Sequence, residues 1–355
     1  MTRTIPTKMR LLAIADHYIP PEFMRSGLAA LAELGIEIEV RHWKHGCLVD
    51  LQQANLAIEK GGPEAVRLPA ELSEGIEGFD IVVVQFAPLS RAFIEKAANL
   101  KVIAVLRGGT ENIDVAYATE RGIAVLNTPG RLARAVAECT VGLILGEIRN
   151  LARGHARLVQ GKWDRSFPNT EDIPELFRRT VGLVGYGAIA QLVAKFLDAF
   201  GCRLLAFDPY FKGDSAPATI CDLETLLRES DVVSLHARLS PETQDLIDAR
   251  ELSRMKPSAV LVNTARSGLV NEAALLQTLK ERRIMGAALD VFDIEPLPPD
   301  HPFLQLDNVT LTPHLAGSTQ DGFRNSPVLT AGHLARLLRG EKSLPVVNGV
   351  TPKLD

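Results

Sequence analysis

The stretch Val181–Asp208, VGLVGYGAIAQLVAKFLDAFGCRLLAFD, constrains the fold more than any other part of this chain. It reads as a short apolar strand, a glycine-rich turn, an amphipathic helix beginning near Ala188, and a second strand ending in an acid. Gly185 allows the tight turn out of the first strand. Gly187 has no Cβ, so a pyrophosphate can approach the backbone, and Ala190 is small enough for the helix to pack close to the sheet. The start of the helix points free N–H groups and a partial positive charge at the phosphates. Asp208 stands where a carboxylate accepts bonds from an adenosine ribose. The pattern predicts a dinucleotide site with NAD favoured over NADP, because an acid at 208 repels a 2′-phosphate; Lys212 weakens that preference without reversing it. The plainer alternative is an ordinary βαβ unit in which Asp208 only caps the turn before Pro209.

The α/β rhythm extends both ways from this unit. Before it, strands are expected at Leu11–Ala15, Glu37–His42, Ile81–Gln85, Val102–Leu106 and Ala124–Leu126, with helices at Glu22–Leu34, Ser90 to about Ala98, and Val115–Arg121. Residues 44–75 read as loops and a short helix. After Asn127-Thr-Pro-Gly130, one long helix is expected from about Ala133 to Gln160. It is apolar over more of its circumference than a surface helix needs, which suits a partner subunit or burial within one chain. Beyond the fingerprint, strands are expected at Asp231–His236, Ala259–Asn263, Gly286–Val291 and Val309–Leu311. Helices are expected at Asn271–Arg282 and around Pro327–Arg339. Such alternation implies parallel sheets covered on both faces.

With 355 residues the chain is long enough for two domains with separate cores. A net charge of −4 with both signs dispersed gives no nucleic-acid tract and no polybasic membrane patch. Cys47, Cys139, Cys202 and Cys221 have no metal-ligand spacing, so no metal site is expected, and the thiols suit a reducing compartment. The N-terminal MTRTIPTKMR lacks the apolar core of a signal peptide, and no apolar run reaches membrane-spanning length. A soluble cytoplasmic protein is expected.

Three further segments fall at strand ends, where ligands bind in open parallel sheets. They are Val262-Asn-Thr-Ala-Arg-Ser-Gly268, Asp290-Val-Phe-Asp-Ile-Glu-Pro296 and Leu311-Thr-Pro-His-Leu-Ala-Gly-Ser318. They place Arg266, Glu295 and His314 at the tips of strands of one fingerprinted unit. Imidazole exchanges protons near neutral pH, a neighbouring carboxylate raises its pKa and orients its ring, and a guanidinium binds carboxylates and polarises carbonyls. Each residue alone reads as an ordinary loop or packed side chain; their convergence on one unit points to catalysis.

With these blocks in order, the chain resembles the D-isomer-specific 2-hydroxyacid dehydrogenase family, in its phosphoglycerate dehydrogenase-like branch. The resemblance runs from about Leu11 to Val347 and rests on VGLVGYGAIA with Asp208, NTARSGLVNEAAL, ALDVFDIEPLP and TPHLAGST. It implies two doubly wound α/β domains with an active-site cleft between them. A discontinuous flavodoxin-like substrate domain would comprise residues 1–128 and 317–355, and a Rossmann NAD-binding domain residues 129–316. It implies that Arg266 binds the substrate carboxylate and carbonyl, that Glu295 pairs with the catalytic His314, and that Asp290 holds the nicotinamide carboxamide. The implied cofactor contacts are Gly185, Gly187, Ala188, Ile189, Asp208, His236, Thr264, Ala265, Asp290 and Gly317. In Arg107-Gly-Gly-Thr-Glu-Asn-Ile-Asp114, Gly108 and Gly109 fall where family backbone amides bind the substrate carboxylate.

The chain departs from the family pattern at Arg107, Glu111, Leu132 and Phe86, all expected on the substrate side. Arg107 could recognise a phosphate or a second acid on the substrate, or could simply pair with Glu111 or face solvent. The expected activity is reversible hydride transfer between NAD and C2 of a D-2-hydroxy acid. The substrate stays open among 3-phosphoglycerate, hydroxypyruvate or glyoxylate, and a sugar acid. Glu295 argues against a formate dehydrogenase. An NAD-sensing corepressor on the same scaffold is the alternative from another functional class. A homodimer through the helix around 133–160 is expected.

Overall fold

The computed structural model describes residues 9–353 apart from Lys342, so most of the N-terminal segment read for a signal sequence lies outside the described residues. The chain divides into two compact units, Met1–Arg131 with Thr319–Asp355, and Leu132–Ser318. Each is an α/β unit built on a wholly parallel sheet. No helix among the described residues is long and apolar enough to cross a membrane.

In the first unit the chain runs through β1 (Arg10–Ala15), α1 (Pro21–Leu28), β2 (Glu37–His42), α2 (Leu48–Gly61), β3 (Ile81–Val84), α3 (Arg91–Lys96), β4 (Val102–Val105), α4 (Val115–Glu120) and β5 (Ala124–Leu126). The sheet order is β2-β1-β3-β4-β5. β1, β3 and β4 are apolar runs because parallel strands covered on both faces have no solvent side. Leu11, Ala13 and Ala15 pack with Met24 and Leu28 on one face, while Leu12 and Ile14 pack with Leu51 and Ile58 on the other.

Two helices here differ from the sequence expectation. The helix expected to run to Leu34 is α-helical only to Leu28 and tightens into a 3₁₀ segment, Ala29–Leu34, ended by Gly35 in the left-handed region. Residues 44–75 contain a 14-residue helix rather than a short one. Only Leu51 and Ile58 of α2 are buried, a stripe too thin to announce its length.

The second unit runs through α5 (Ala133–Ile148), α6 (Leu151–Val159), β6 (Thr180–Val184), α7 (Ala188–Asp198), β7 (Arg203–Phe207), β8 (Thr219–Ile220), α8 (Leu223–Glu229), β9 (Val232–Leu235), α9 (Ala249–Leu252), β10 (Val260–Asn263), α10 (Glu272–Lys280), β11 (Gly286–Leu289) and β12 (Val309–Leu311). Its sheet order is β12-β11-β10-β9-β6-β7-β8, so the order reverses between β6 and β9. That reversal leaves a crevice at the carboxyl end of β6, where Gly185 sits.

The single helix expected over about 133–160 is two helices, broken where Asn150 takes a left-handed φ of 56°. Asparagine tolerates that conformation. The break is held by buried polar groups: Asn150 Nδ2 donates to Asn169 Oδ1 at 2.6 Å, and Arg153 donates to Glu147 Oε1 at 2.6 Å. Glu147 Oε2 accepts from Thr310 Oγ1 on β12 at 2.6 Å. α5 buries Ala137, Thr140, Leu143 and Ile144 within its own unit.

The chain then returns to the first unit as α11 (Gln320–Leu338), which begins two turns earlier than expected and contains Pro327. Thr319 caps it by accepting the Gly322 amide at 3.1 Å. Pro327 packs against α1 at Gly27, where a Cβ would lie 2.5 Å from the proline Cβ. Close packing there accommodates a proline that local propensity would place at a helix start.

Candidate active site

The Gly185 turn is built for close approach. Gly185 has φ +86°, and a Cβ there would lie 2.6 Å from the Ala237 amide nitrogen. No other residue type fits both requirements. Gly187 caps α7 without a side-chain bond, and the space its Cβ would fill is open to 4 Å. Ala188 and Ile189 form the first turn of α7, and Ala190 is fully buried against the sheet. An open, side-chain-free helix N-terminus at the sheet reversal fits a pyrophosphate.

Asp208 follows β7. Its Oδ2 accepts the Tyr186 amide and its Oδ1 the Tyr210 amide, both at 2.9 Å. The carboxylate therefore ties the glycine turn to the end of β7, and each oxygen keeps lone-pair capacity for a further donor. His236 follows β9, its amide bonded to Val184 O at 2.7 Å and its Nε2 lying 2.9 Å from Ser234 Oγ. Burial pushes its pKa down to about 4, so it is a neutral ring at physiological pH.

The loop after β10 is braced by Asn263. Its Oδ1 accepts the Ala265 amide at 3.0 Å and its Nδ2 donates to Arg266 O at 2.9 Å. That bracing leaves the Arg266 side chain exposed, bonded to Ala265 O at 2.7 Å. Thr264 is turned inward, with Oγ1 2.8 Å from Thr140 Oγ1 on α5.

The loop after β12 is held from beneath. Asp290, fully buried at the end of β11, accepts from Thr312 Oγ1 at 2.6 Å and from the Leu315 and Ala316 amides at 2.9 Å each. Its three bonds all go to the segment that carries His314. His314 itself takes a left-handed φ of 50°, and its Nδ1 lies 2.7 Å from Glu295 Oε2. The other oxygen, Glu295 Oε1, accepts the Phe292 amide at 3.0 Å.

The electrostatics follow this geometry. The bond from Glu295 raises the His314 pKa above its ordinary value; burial and the Arg266 charge oppose the rise without cancelling it. Burial pushes Glu295 upward, but the bonds from His314 and the Phe292 amide, with the His314 and Arg266 charges, hold it below the usual carboxylate range. With Nδ1–H donated to Glu295, Nε2 is the nitrogen free to exchange a proton with a ligand. Arg266, Glu295 and His314 therefore share one electrostatic environment. Gly317 lies beyond them, against Leu132: a Cβ at 317 would be 2.9 Å from Leu132 Cδ1.

Gly108 and Gly109 lie in the first unit after β4. Asn127 Nδ2 donates to Gly108 O at 2.6 Å, and Arg107 Nε donates to Gly109 O at 3.3 Å. Arg107 pairs with Glu111, as the plainer expectation allowed, and it is buried rather than facing solvent. It also bonds Asn55 Oδ1 at 2.8 Å and Glu59 at 3.3 Å. Asn55 and Glu59 lie on α2, the helix whose extent the sequence did not show.

A family model described as D-isomer specific 2-hydroxyacid dehydrogenase, NAD binding domain, matches residues 141–316. A glyoxylate reductase of Thermofilum pendens is 43% identical over 260 residues, covering 72% of this chain and 77% of that protein. The chain belongs to the D-isomer-specific 2-hydroxyacid dehydrogenase family. It is a family of NAD-dependent oxidoreductases acting on CH–OH groups, and the matched portion is its NAD-binding domain. A D-3-phosphoglycerate dehydrogenase of Methanocaldococcus jannaschii is 41% identical over 284 residues, or 78% of this chain. The aligned region spans about half, 53%, of that relative's length. Among solved structures, a D-lactate dehydrogenase with NAD+ from Lactobacillus jensenii superposes with a TM-score of 0.75 at 26% identity, covering 95% of this chain and 99% of that one.

Proposed function

We propose that this dehydrogenase-family chain catalyses reversible hydride transfer between NAD(H) and C2 of a D-2-hydroxy or 2-keto acid. The observation that carries the reading is the 2.7 Å bond between His314 Nδ1 and Glu295 Oε2, which favours the protonated imidazole and leaves its Nε2 available. In the reducing direction His314 Nε2–H protonates the carbonyl oxygen as it gains charge; in the oxidising direction the neutral ring takes the hydroxyl proton. Bound NAD supplies the hydride acceptor or donor. Arg266, left exposed by its braced loop, binds the substrate carboxylate and polarises the adjacent carbonyl.

Gly185, Gly187, Ala188 and Ile189 are the proposed pyrophosphate cradle and Asp208 the ribose acceptor. His236, Thr264, Ala265, Asp290 and Gly317 are the proposed further cofactor contacts. Asp290 keeps lone-pair capacity for a carboxamide in addition to its loop bonds. Gly108 and Gly109 are the proposed backbone ligands of the carboxylate, and Arg107 contributes by holding their loop. A homodimer is proposed through the region around 133–160, where Leu151, Leu158 and Val159 of α6 are 60%, 57% and 72% exposed.

The test is NADH oxidation against a panel of 2-keto acids including glyoxylate, hydroxypyruvate, 3-phosphohydroxypyruvate and a sugar acid. Turnover of at least one by the wild type, with most of it lost in His314→Ala and NADH binding retained, is expected. No turnover across the panel, or near-normal activity of His314→Ala, overturns the reading.

A further inference from the structure

A second imidazole–carboxylate pair lies behind the first. His301 Nε2 is 3.1 Å from Glu272 Oε1, with side-chain exposures of 12% and 23%. The tautomer of His301 is set by its other nitrogen, because Nδ1 caps the following 3₁₀ turn by accepting the Phe303 amide at 3.3 Å. The proton therefore sits on Nε2 and is donated to Glu272. Glu272 occupies the first turn of α10, where the helix dipole favours its negative charge.

The free oxygen of that carboxylate has a specific job. Glu272 Oε2 accepts the Asp293 amide at 3.2 Å. The preceding amide, Phe292 N–H, is the one that Glu295 Oε1 accepts. Two consecutive backbone amides are thus each held by a carboxylate, one from Glu295 inside the turn and one from Glu272 outside it. Glu272 also lines a small cavity with Asn263, Ser267 and Phe303, so it borders the loop that presents Arg266 as well.

We propose that Glu272, oriented by His301, is a positioning residue that fixes the 292–296 turn and through it the Glu295 carboxylate that partners His314. The proposal rests on the hydride-transfer reading for its consequence in catalysis, but its structural core is measurable without turnover. Phe292 anchors the start of the turn in the core and Leu297 packs just beyond its end, but Asp293, Ile294 and Pro296 between them are exposed. Between those anchors the backbone bonds from Glu272 and Glu295 set where the Glu295 carboxylate stands, and misplacing a catalytic partner by about 1 Å can cost on the order of 100-fold in rate. The charged groups acting on His314 are Glu295, Arg266 and Asp290, and only Glu295 is carried by this turn.

The experiment is an NMR titration of the His314 ring in the full-length protein, its resonance assigned with His314→Ala, for wild type, Glu272→Ala, Glu272→Gln and His301→Phe. The His314 midpoint should fall in Glu272→Ala by about half a unit or more, and by less in Glu272→Gln, whose amide oxygen can still accept from Asp293. His301→Phe keeps a ring against Phe303 and should lower the midpoint partway. Ile284→Val, a destabilising change elsewhere in the unit, should leave it unmoved. In turnover, kcat should drop about 10-fold in Glu272→Ala with KM for NADH unchanged. A His314 midpoint that stays at the wild-type value in the folded Glu272 and His301 variants overturns the proposal, whatever their melting temperatures. If Glu272→Ala does not fold, the other two variants decide. Absence of turnover in wild type would sink the functional reading instead, and leaves the midpoint comparison intact.

Discussion

Asp290 Oδ1 accepts the Leu315 amide at 2.9 Å, so a carboxylate at the end of β11 grips the residue immediately after His314. With Thr312 and Ala316 also bonded to it, Asp290 fixes both sides of a histidine whose backbone is left-handed. Asp290→Asn keeps the shape but supplies one acceptor oxygen where two are used. The expected cost is about 1–3 kcal/mol, the penalty for leaving buried donors unpaired. Urea unfolding should show a lower midpoint with an unchanged slope, and kcat should fall with stability. A fully stable, fully active Asp290→Asn would remove Asp290 from the scaffold of the site.

The pH dependence follows from the His314–Glu295 pair. His314 is raised above 6.5, so its protonated form persists above that pH in the folded protein. Keto-acid reduction, which uses that form, should hold its kcat/KM beyond the ordinary histidine range and fall as pH rises through the raised pKa. Oxidation of the hydroxy acid should show the opposite limb. By linkage, the stability this pair contributes is complete below 6.5 and is lost as pH rises through the folded His314 value. Glu295, lowered in the fold, adds stability that is present above its ordinary pKa and is lost as pH falls through the depressed one. Glu295→Gln should move the reductive limb to lower pH; an unmoved limb would mean that another group titrates.

Cofactor choice should depend on Asp208 in two ways. Its carboxylate orders the glycine turn through the Tyr186 amide, and its charge opposes a 2′-phosphate. Asp208→Ala is expected to raise KM for NADH and to narrow the NADH-over-NADPH ratio of kcat/KM by roughly 10-fold, the scale of one lost charged contact. A ratio identical to wild type would assign the preference elsewhere.

Arg107 is engaged by Glu111, Glu59 and Asn55, which leaves its guanidinium little capacity for a substrate phosphate. Phosphorylated 2-keto acids should therefore gain no advantage in kcat/KM over plain ones through this residue. Arg107→Gln should destabilise the protein by about 1–2 kcal/mol through the lost bonds to Asn55 and Gly109 O, while Glu59 and Glu111, nearly half exposed, are solvated when the cation leaves. A large, selective loss of activity toward phosphorylated substrates in that variant would restore Arg107 as a phosphate ligand.

The legible parts of the sequence were those where a local rule acts alone. β1, β3, β4, β6, β10 and β11 show as apolar runs, and the Gly185 turn shows because a left-handed φ and a close backbone contact admit only glycine. Arg266, Glu295 and His314 stand out because each follows a strand. The less legible parts depend on partners far away in sequence. The break at Asn150 is held by Asn169, and the neighbouring Glu147–Arg153 pair is anchored at Thr310. α11 starts early at the Thr319 cap and runs through Pro327, whose close packing on α1 admits only Gly27. The full length of α2 rests on two buried side chains.

The sequence by itself determined the parallel α/β architecture and the identities of the three strand-end residues, because strand periodicity and glycine conformation are properties of neighbouring residues. Only the tertiary structure decided that Asp290 holds the His314 loop, that Arg107 is paired within its own unit, and that Glu272 and His301 stand behind the Glu295 turn. Each of those depends on which donor meets which acceptor across tens of residues of chain, and a hydrogen bond is settled by distance and direction in space rather than by position along the sequence.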